Sequence, residues 1–149
     1  MTRNESLFGP SAALTRSLPR RHRITVCTTC RDPQTREQPG LHLIETLSAA
    51  LAGDSAAPFE VAGAACMAGC SHPCTVAYQA EGKASYLFGD IEPARDVATL
   101  LAFARQYAEL DDGWCSSLQR PEGLKGKTLA RMPALPAPAL GAADRRDGA

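Results

Sequence analysis

Phe59-Glu60-Val61-Ala62-Gly63-Ala64-Ala65-Cys66-Met67-Ala68-Gly69-Cys70-Ser71-His72-Pro73-Cys74 changes its period partway along. Phe59, Val61, Gly63 and Ala65 alternate with Glu60 and its neighbours, the pattern of a half-buried strand. From Cys66 the alternation stops, and thiols recur at every fourth residue, at Cys66, Cys70 and Cys74. Gly69 and Pro73 interrupt this stretch, so it reads as a loop and not as a simple helix. A Gly-bearing loop lets its backbone approach a bulky inorganic centre, and its free N–H groups can hydrogen-bond to sulfur. One strand thus delivers three thiols to one loop.

Working outward, Ile24-Thr25-Val26 is β-branched throughout and suits a strand interior. It ends at Cys27-Thr28-Thr29-Cys30, a second thiol pair. If the two strands are parallel neighbours, their loops open at the same end of a sheet. Residues 31–40 are polar, carry Pro33 and Pro39, and form a loop. Leu41, Ile44, Leu47 and Leu51 then recur at helical spacing before Gly53, which predicts a helix over 41–52 with His42 off its stripe. After Cys74, residues 75–80 and 84–88 flank Glu81-Gly82-Lys83 as a hairpin, with Tyr78, Tyr86 and Phe88 as core. Asp90 can cap a helix over 92–109, where Val97, Leu100, Leu101, Ala104 and Ala108 form one stripe and Pro93 falls in the first turn. The order β-α-β-β-β-α predicts an α/β fold, a mixed sheet with helices packed on it.

The ends read differently. Residues 1–21 show no sustained period and are expected to be a disordered leader; the Pro/Ala-rich residues 133–149 are expected to be a disordered tail. Residues 22–110 form the predicted domain. Residues 111–132 are expected to be an irregular arm, with a short helical turn, packed on the domain through Trp114. Arg20, Arg21, His22 and Arg23 make a small basic run, either a solvated edge or part of a docking face.

With 16 basic and 16 acidic residues the chain has no net charge, which argues against a general nucleic-acid surface. No signal peptide is recognisable, and no apolar run approaches the roughly 20 residues of a membrane helix. The expected compartment is the cytoplasm, where thiols stay reduced and clustered cysteines bind metal more readily than they form disulfide frameworks. No Ser-His-Asp set, phosphate loop or paired-carboxylate motif is present, so no catalytic residue is assigned.

Four soft thiolates select zinc or an iron–sulfur centre. Zinc ribbons usually separate their pairs by roughly 15–20 residues. Here residues 31–65, including a whole helix, lie between the pairs. That favours a preformed scaffold and leaves zinc open. Cys27-x2-Cys30 alone also fits a thiol–disulfide oxidoreductase, but such chemistry uses a helix N-terminus to acidify the first thiol. Arg31-Asp32-Pro33 leads into a loop instead. The expected ligands are Cys27, Cys30, Cys66 and Cys70, with Cys74 in reserve. Cys74 reads equally well as a buried small apolar residue, Cys115 as an isolated structural thiol, and His72 as a neighbour of the centre or a solvent-facing side chain.

Strand–Cys, helix, strand–Cys-x3-Cys, hairpin, helix resembles the thioredoxin-like [2Fe-2S] ferredoxins. V-C-T-T-C-R, C-M-A-G-C-S-H-P-C-T-V-A, Y-L-F-G-D and the D-G-W…R-P…L-A-R-M-P arm resemble more closely a bacterial family described as predicted metal-binding proteins, over about residues 24–133. The resemblance implies a thioredoxin-like fold with a [2Fe-2S] cluster held in two loops at one end of the sheet. It implies a small electron carrier, a transient redox partner protein, a possible homodimer and a link to cobalamin metabolism. Cys27, Cys66 and Cys70 match that pattern best. In the resembled ferredoxins the first two ligands stand farther apart than Cys27 and Cys30, so Cys30 and Cys74 both stand as candidates for the fourth. The alternative function is a zinc-binding structural, interaction or metal-delivery module.

Overall fold

A computed structural model describes residues 20–54 and 58–136. The leader expected over 1–21 and the tail expected over 133–149 fall largely outside them. Strand β1 (His22–Cys27) runs into the first cysteine loop and is followed by helix α1 (Gly40–Leu51). Strand β2 (Phe59–Ala64) leads to the second cysteine loop. Strands β3 (Val76–Ala80) and β4 (Ser85–Phe88) form the hairpin, and helix α2 (Pro93–Glu109) follows. A 3-10 turn (Glu122–Leu124) then precedes strand β5 (Thr128–Met132).

These strands form one mixed sheet in the order β2-β1-β3-β4-β5, an α/β fold with a thioredoxin-like arrangement. β1 and β2 are parallel, with His22 opposite Phe59 and Cys27 opposite Ala64. The remaining pairings are antiparallel, with Val26 opposite Val76 and Val76 opposite Phe88. That register decides where the loops emerge. Cys27, residues 65–75, residues 89–92 and Lys127 all collect at one end of the sheet. His22, Phe59 and Ala80 lie at the other end, a strand length away.

Alternation along the strands builds the core. Ile24, Val26, Val76, Tyr78, Tyr86 and Phe88 are buried, whereas Thr25, Ala77 and Leu87 between them are only half-buried. α1 contributes Leu43, Leu47 and Leu51, and α2 contributes Leu100, Phe103, Ala104 and Tyr107. The rings of Tyr78, Tyr86 and Phe88 meet Phe103 edge-on, at 4.8, 5.2 and 5.2 Å between centroids. Such arrangements add to the burial of the rings themselves. Lys83 is buried at the far end of the sheet, where its ammonium donates to the carbonyls of Tyr107 and Ala108 and so closes the last turn of α2.

Two sequence expectations are corrected here. The inward stripe of α1 uses Leu43 in place of Leu41, which is 66% exposed. Leu41 and Leu43 differ by about 200° around a helix, so Leu47 and Leu51 select Leu43 at i−4 and i−8. Residues 111–132 are not an irregular arm, because β5 pairs with β4 and completes the sheet, Tyr86 lying opposite Arg131. Nor does Trp114 anchor them: it is 45% exposed, with the Arg131 guanidinium 3.6 Å over its ring. The anchors are Leu124, fully buried, and Cys115, whose N–H donates to the Tyr86 hydroxyl. That hydroxyl in turn donates to the carbonyl of Gly113.

Candidate metal centre

Parallel pairing of β1 and β2 brings the two cysteine loops side by side. The N–H of Thr28 donates to the carbonyl of Ala64 at 2.8 Å, and the Thr28 hydroxyl reaches the same oxygen at 3.2 Å. Thr29 donates to the carbonyl of Ala65. Gly63 makes room for this contact, since a Cβ there would stand 2.6 Å from the Thr28 methyl. The first loop is thus bonded along the start of the second.

Cys27 and Cys30 are buried; Cys66 and Cys70 are exposed. Cys66 Sγ and Cys70 Sγ are 3.6 Å apart, and the N–H of Ala68 points at Cys66 Sγ at 3.3 Å. The loop therefore supplies a backbone donor to sulfur. Two thiolates on one tetrahedral ion at about 2.3 Å stand about 3.8 Å apart. The exposed pair already has that spacing.

The buried pair is electrostatically uneven. Burial acts to raise the Cys27 thiol, but the hydroxyl of Thr29, the thiol of Cys30 and the N–H groups of both residues outweigh it and hold Cys27 at about 7. Because the Thr29 hydroxyl also serves Ala65, the N–H groups are the steadier part of that stabilisation. Cys30 is pushed up by burial and by sharing its proton with Cys27, while Thr75 pulls the other way. Its sulfur lies 3.8 Å from the Thr75 hydroxyl. Cys70 is raised by its hydrogen bond and charge interaction with Cys66, and more weakly by Cys27.

Cys74 lies two residues before β3 with its sulfur 4.0 Å from the Cys27 carbonyl. Burial first, then the nearby charges of Cys30 and Cys27, push it up to about 12. It therefore packs as a neutral small side chain beneath the others. Cys115 sits apart, in the segment before β5, with its thiol 3.5 Å from the Tyr86 hydroxyl. Among the described residues, no three His, Cys, Asp or Glu side chains are already grouped around one point as a metal-ion site. The thiols stand instead as two neighbouring pairs.

His72 Nδ1 is paired with Asp90 Oδ2 at 2.9 Å, and the N–H of Asp90 donates to the carbonyl of His72 at 2.9 Å. Ile91 N–H donates to the carbonyl of Cys74. Lys127 Nζ bridges the carbonyl of Asp90 and the carboxylate of Asp96, which also receives the N–H of Glu92. The second cysteine loop is therefore fastened to residues 89–92 and to the approach of β5. Asp90 does not cap α2 as its sequence position suggested, since the N-cap is Glu92; its carboxylate pairs with His72 across the hairpin, for which there was no local signal. Gly69 lies against Thr75 and Leu129, where a Cβ would stand 2.5 Å from the Thr75 methyl.

The basic run is placed elsewhere. Arg20 donates to the carbonyl of Asp111, Arg23 pairs with Glu60, and His22 is buried, all at the end of the sheet opposite the thiols. No helix among the described residues is long and apolar enough to cross a membrane.

No curated protein and no solved structure matches the chain. A family model described as "Protein of unknown function (DUF1636)" matches residues 24–134, from the third residue of β1 to just beyond β5. Because that match covers all but the first two residues of the sheet, both helices and both cysteine loops, the chain belongs to this family.

Proposed function

We propose that Cys27, Cys30, Cys66 and Cys70 hold a [2Fe-2S] cluster and that the protein is a small electron carrier serving a transient redox partner. The observation carrying this reading is the delivery of two thiol pairs to one sheet end by adjacent parallel strands. Paired delivery suits a binuclear centre, in which each iron takes two protein sulfurs. The residues present fit the group in donor chemistry, in the 3.6 Å spacing of Cys66 and Cys70, and in the N–H of Ala68 aimed at sulfur.

A bound cluster of this kind takes up or releases one electron at a potential set by its hydrogen bonds and exposure. The chain's own residues divide the remaining tasks. Cys27, already acidified, supplies a thiolate near neutral pH, and the sheet fixes its position. Cys66 and Cys70 face solvent, so their side of the site is the natural point of exchange with a partner. Cys74 and His72 support the loop, the first by packing and the second through Asp90. The family resemblance in the sequence adds the metal-binding assignment, a cytoplasmic setting and the cobalamin link to the same proposal.

The test is anaerobic reconstitution with iron and sulfide. The expected product is reddish-brown, with iron and acid-labile sulfide in equal amounts. Ser at 27, 30, 66 or 70 removes or strongly alters the visible spectrum; Ser at 74 or 115 leaves it in place. A colourless protein with one zinc per chain would overturn the electron carrier in favour of a zinc-binding module, a second reading that the spacing of Cys66 and Cys70 also accommodates. If Cys74→Ser bleaches the protein and Cys30→Ser does not, Cys74 is the fourth ligand.

A further inference from the structure

The thiol end of the sheet carries two open depressions that share Pro33 and Pro73 as a common wall. One, of about 370 Å³, is lined by Cys30 and Cys70 together with Arg31 and Arg36, and no carboxylate lines it. The other is lined by Asp32, Asp90 and Glu92. The sign of the side-chain charge therefore reverses across the two prolines.

Carboxylate pairing separates Arg31 and Arg36 from three other arginines. Arg23, Arg95 and Arg105 are each paired with a carboxylate. Among the described residues neither Arg31 nor Arg36 has such a pair; Arg31 Nη1 donates to the carbonyl of Arg36 at 2.9 Å. Their loop is well tied. Arg36 N–H donates to the carbonyl of Asp32, and the Asp32 N–H to the carbonyl of Glu37. The Asp32 carboxylate makes no ion pair with either; it accepts from the N–H groups of Thr35 and Gln34, which hold its carboxyl below the usual range, and it lines the other depression. Two cations with no carboxylate in contact are thus presented by a braced loop beside the thiol pairs. A guanidinium fork is suited to carboxylates.

We propose that this groove is the docking site for an acidic patch on the redox partner, with Arg31 and Arg36 meeting its carboxylates above Cys30 and Cys70. The partner's role rests on the electron-carrier reading; the charged surface stands on geometry alone. An extended protein surface is the occupant, in preference to a small anion, because charge reversal across Pro33 and Pro73 orients a large face and does nothing for a point charge. Small, electrostatically steered contacts are the usual form of redox encounters. The basic run at 20–23 is a strand length from the thiols, and Arg23 is already paired with Glu60.

The experiment has two arms, both on the full chain. In the first, chelator-treated protein whose fold is checked by circular dichroism is alkylated with iodoacetate or with neutral iodoacetamide. Mass spectrometry reads the rates at Cys70. Arg31→Gln with Arg36→Gln should lower the iodoacetate-to-iodoacetamide ratio about fourfold at low salt, for charges roughly 10 Å away in water. The corresponding Lys variants should retain most of the ratio. In the second arm, a synthetic Glu-rich peptide is added to the protein as purified. It should shift amide resonances at 29–32, 34–36 and 70–72 at low salt only, and not in the double Gln variant; a Lys-rich peptide should shift none of them. An unchanged alkylation ratio overturns the proposal. A changed ratio without peptide-induced shifts shows that the groove steers small anions only, and overturns docking. If both arms succeed while reconstitution yields no iron–sulfur centre, the acidic docking surface stands and the electron-carrier reading falls.

Discussion

The two thiol pairs are chemically alike and physically opposite. Cys27 ends a central strand and Cys30 follows it; both are buried, Cys27 only 2% exposed, and Gly40 at the start of α1 packs on the backbone of Cys27 and Thr28. Cys66 and Cys70 follow an edge strand, where the loop is held by bonds at Gly69, His72 and Cys74 but leaves its sulfurs in water. The first pair belongs to the core and the second to the surface. A pair set in the core is positioned by the fold; a pair on a loop can adjust when a ligand arrives and can meet a partner afterwards.

Substitutions at glycine should separate the two most sharply. A Cβ at Gly40 would stand 2.3 Å from the Cys27 carbonyl oxygen and 2.9 Å from Thr28 Cα, both backbone atoms. Gly40→Ala must displace α1 or the first loop, at a cost of about 3 kcal/mol in urea unfolding. Gly69→Ala meets side-chain atoms of Thr75 and Leu129 and no backbone, and should cost less, about 1–2 kcal/mol. Equal costs would mean that the two loops are equally rigid and would remove the contrast.

The next effect is smaller. In metal-free protein, Cys27→Ser or Cys30→Ser places a hydroxyl in a buried, sulfur-sized site and should cost about 1–2 kcal/mol. Cys66→Ser and Cys70→Ser should stay within about 0.5 kcal/mol, as surface changes do. Thermal or urea unfolding of the four variants measures this directly.

A pH series sharpens the same point. Cys27 is held at about 7 against an ordinary value of 9.0, so the unfolded chain binds more protons between those limits. Its contribution to stability is fully present above pH 9 and is lost as pH falls through 7. Cys74, pushed up to about 12, acts in the opposite sense and lowers stability as pH rises above 9. Lys83, lowered to about 8 chiefly by burial, adds a rise between pH 8 and 10.5. The Cys27 part is therefore read as the difference between wild type and Cys27→Ala, which should widen from pH 7 to pH 9. A flat difference would show that the buried thiol is not acidified.

A small effect is expected at Trp114. Half in solvent, with Arg131 over its ring, it should cost only about 1 kcal/mol on change to Ala. Leu124→Ala, at a fully buried site in the same segment, should cost about 2–5 kcal/mol.

Much of the fold was legible because its strands and helices carry local periods. Ile24 and Val26, Tyr78, and Tyr86 with Phe88 mark their strands by alternation and β-branched or aromatic content. β5 escaped because Thr128-Leu129-Ala130-Arg131-Met132 is an edge strand whose faces are half-exposed, so its alternation is weak. The choice of Leu43 over Leu41 also needed the sheet, since both residues are apolar and only His42 separates them.

By itself the sequence determined the α/β order of elements, the two loops that carry thiols, and the soft-donor chemistry those loops offer, because each depends on residues close together in the chain. Tertiary structure alone decided that β1 and β2 are parallel neighbours, that Cys27 is buried while Cys66 faces water, that His72 meets Asp90, and that Arg31 and Arg36 border the thiols while Arg20–Arg23 stand at the opposite end. Those facts depend on strand register and on burial, which arise from contacts between residues far apart in sequence and leave no local pattern to read.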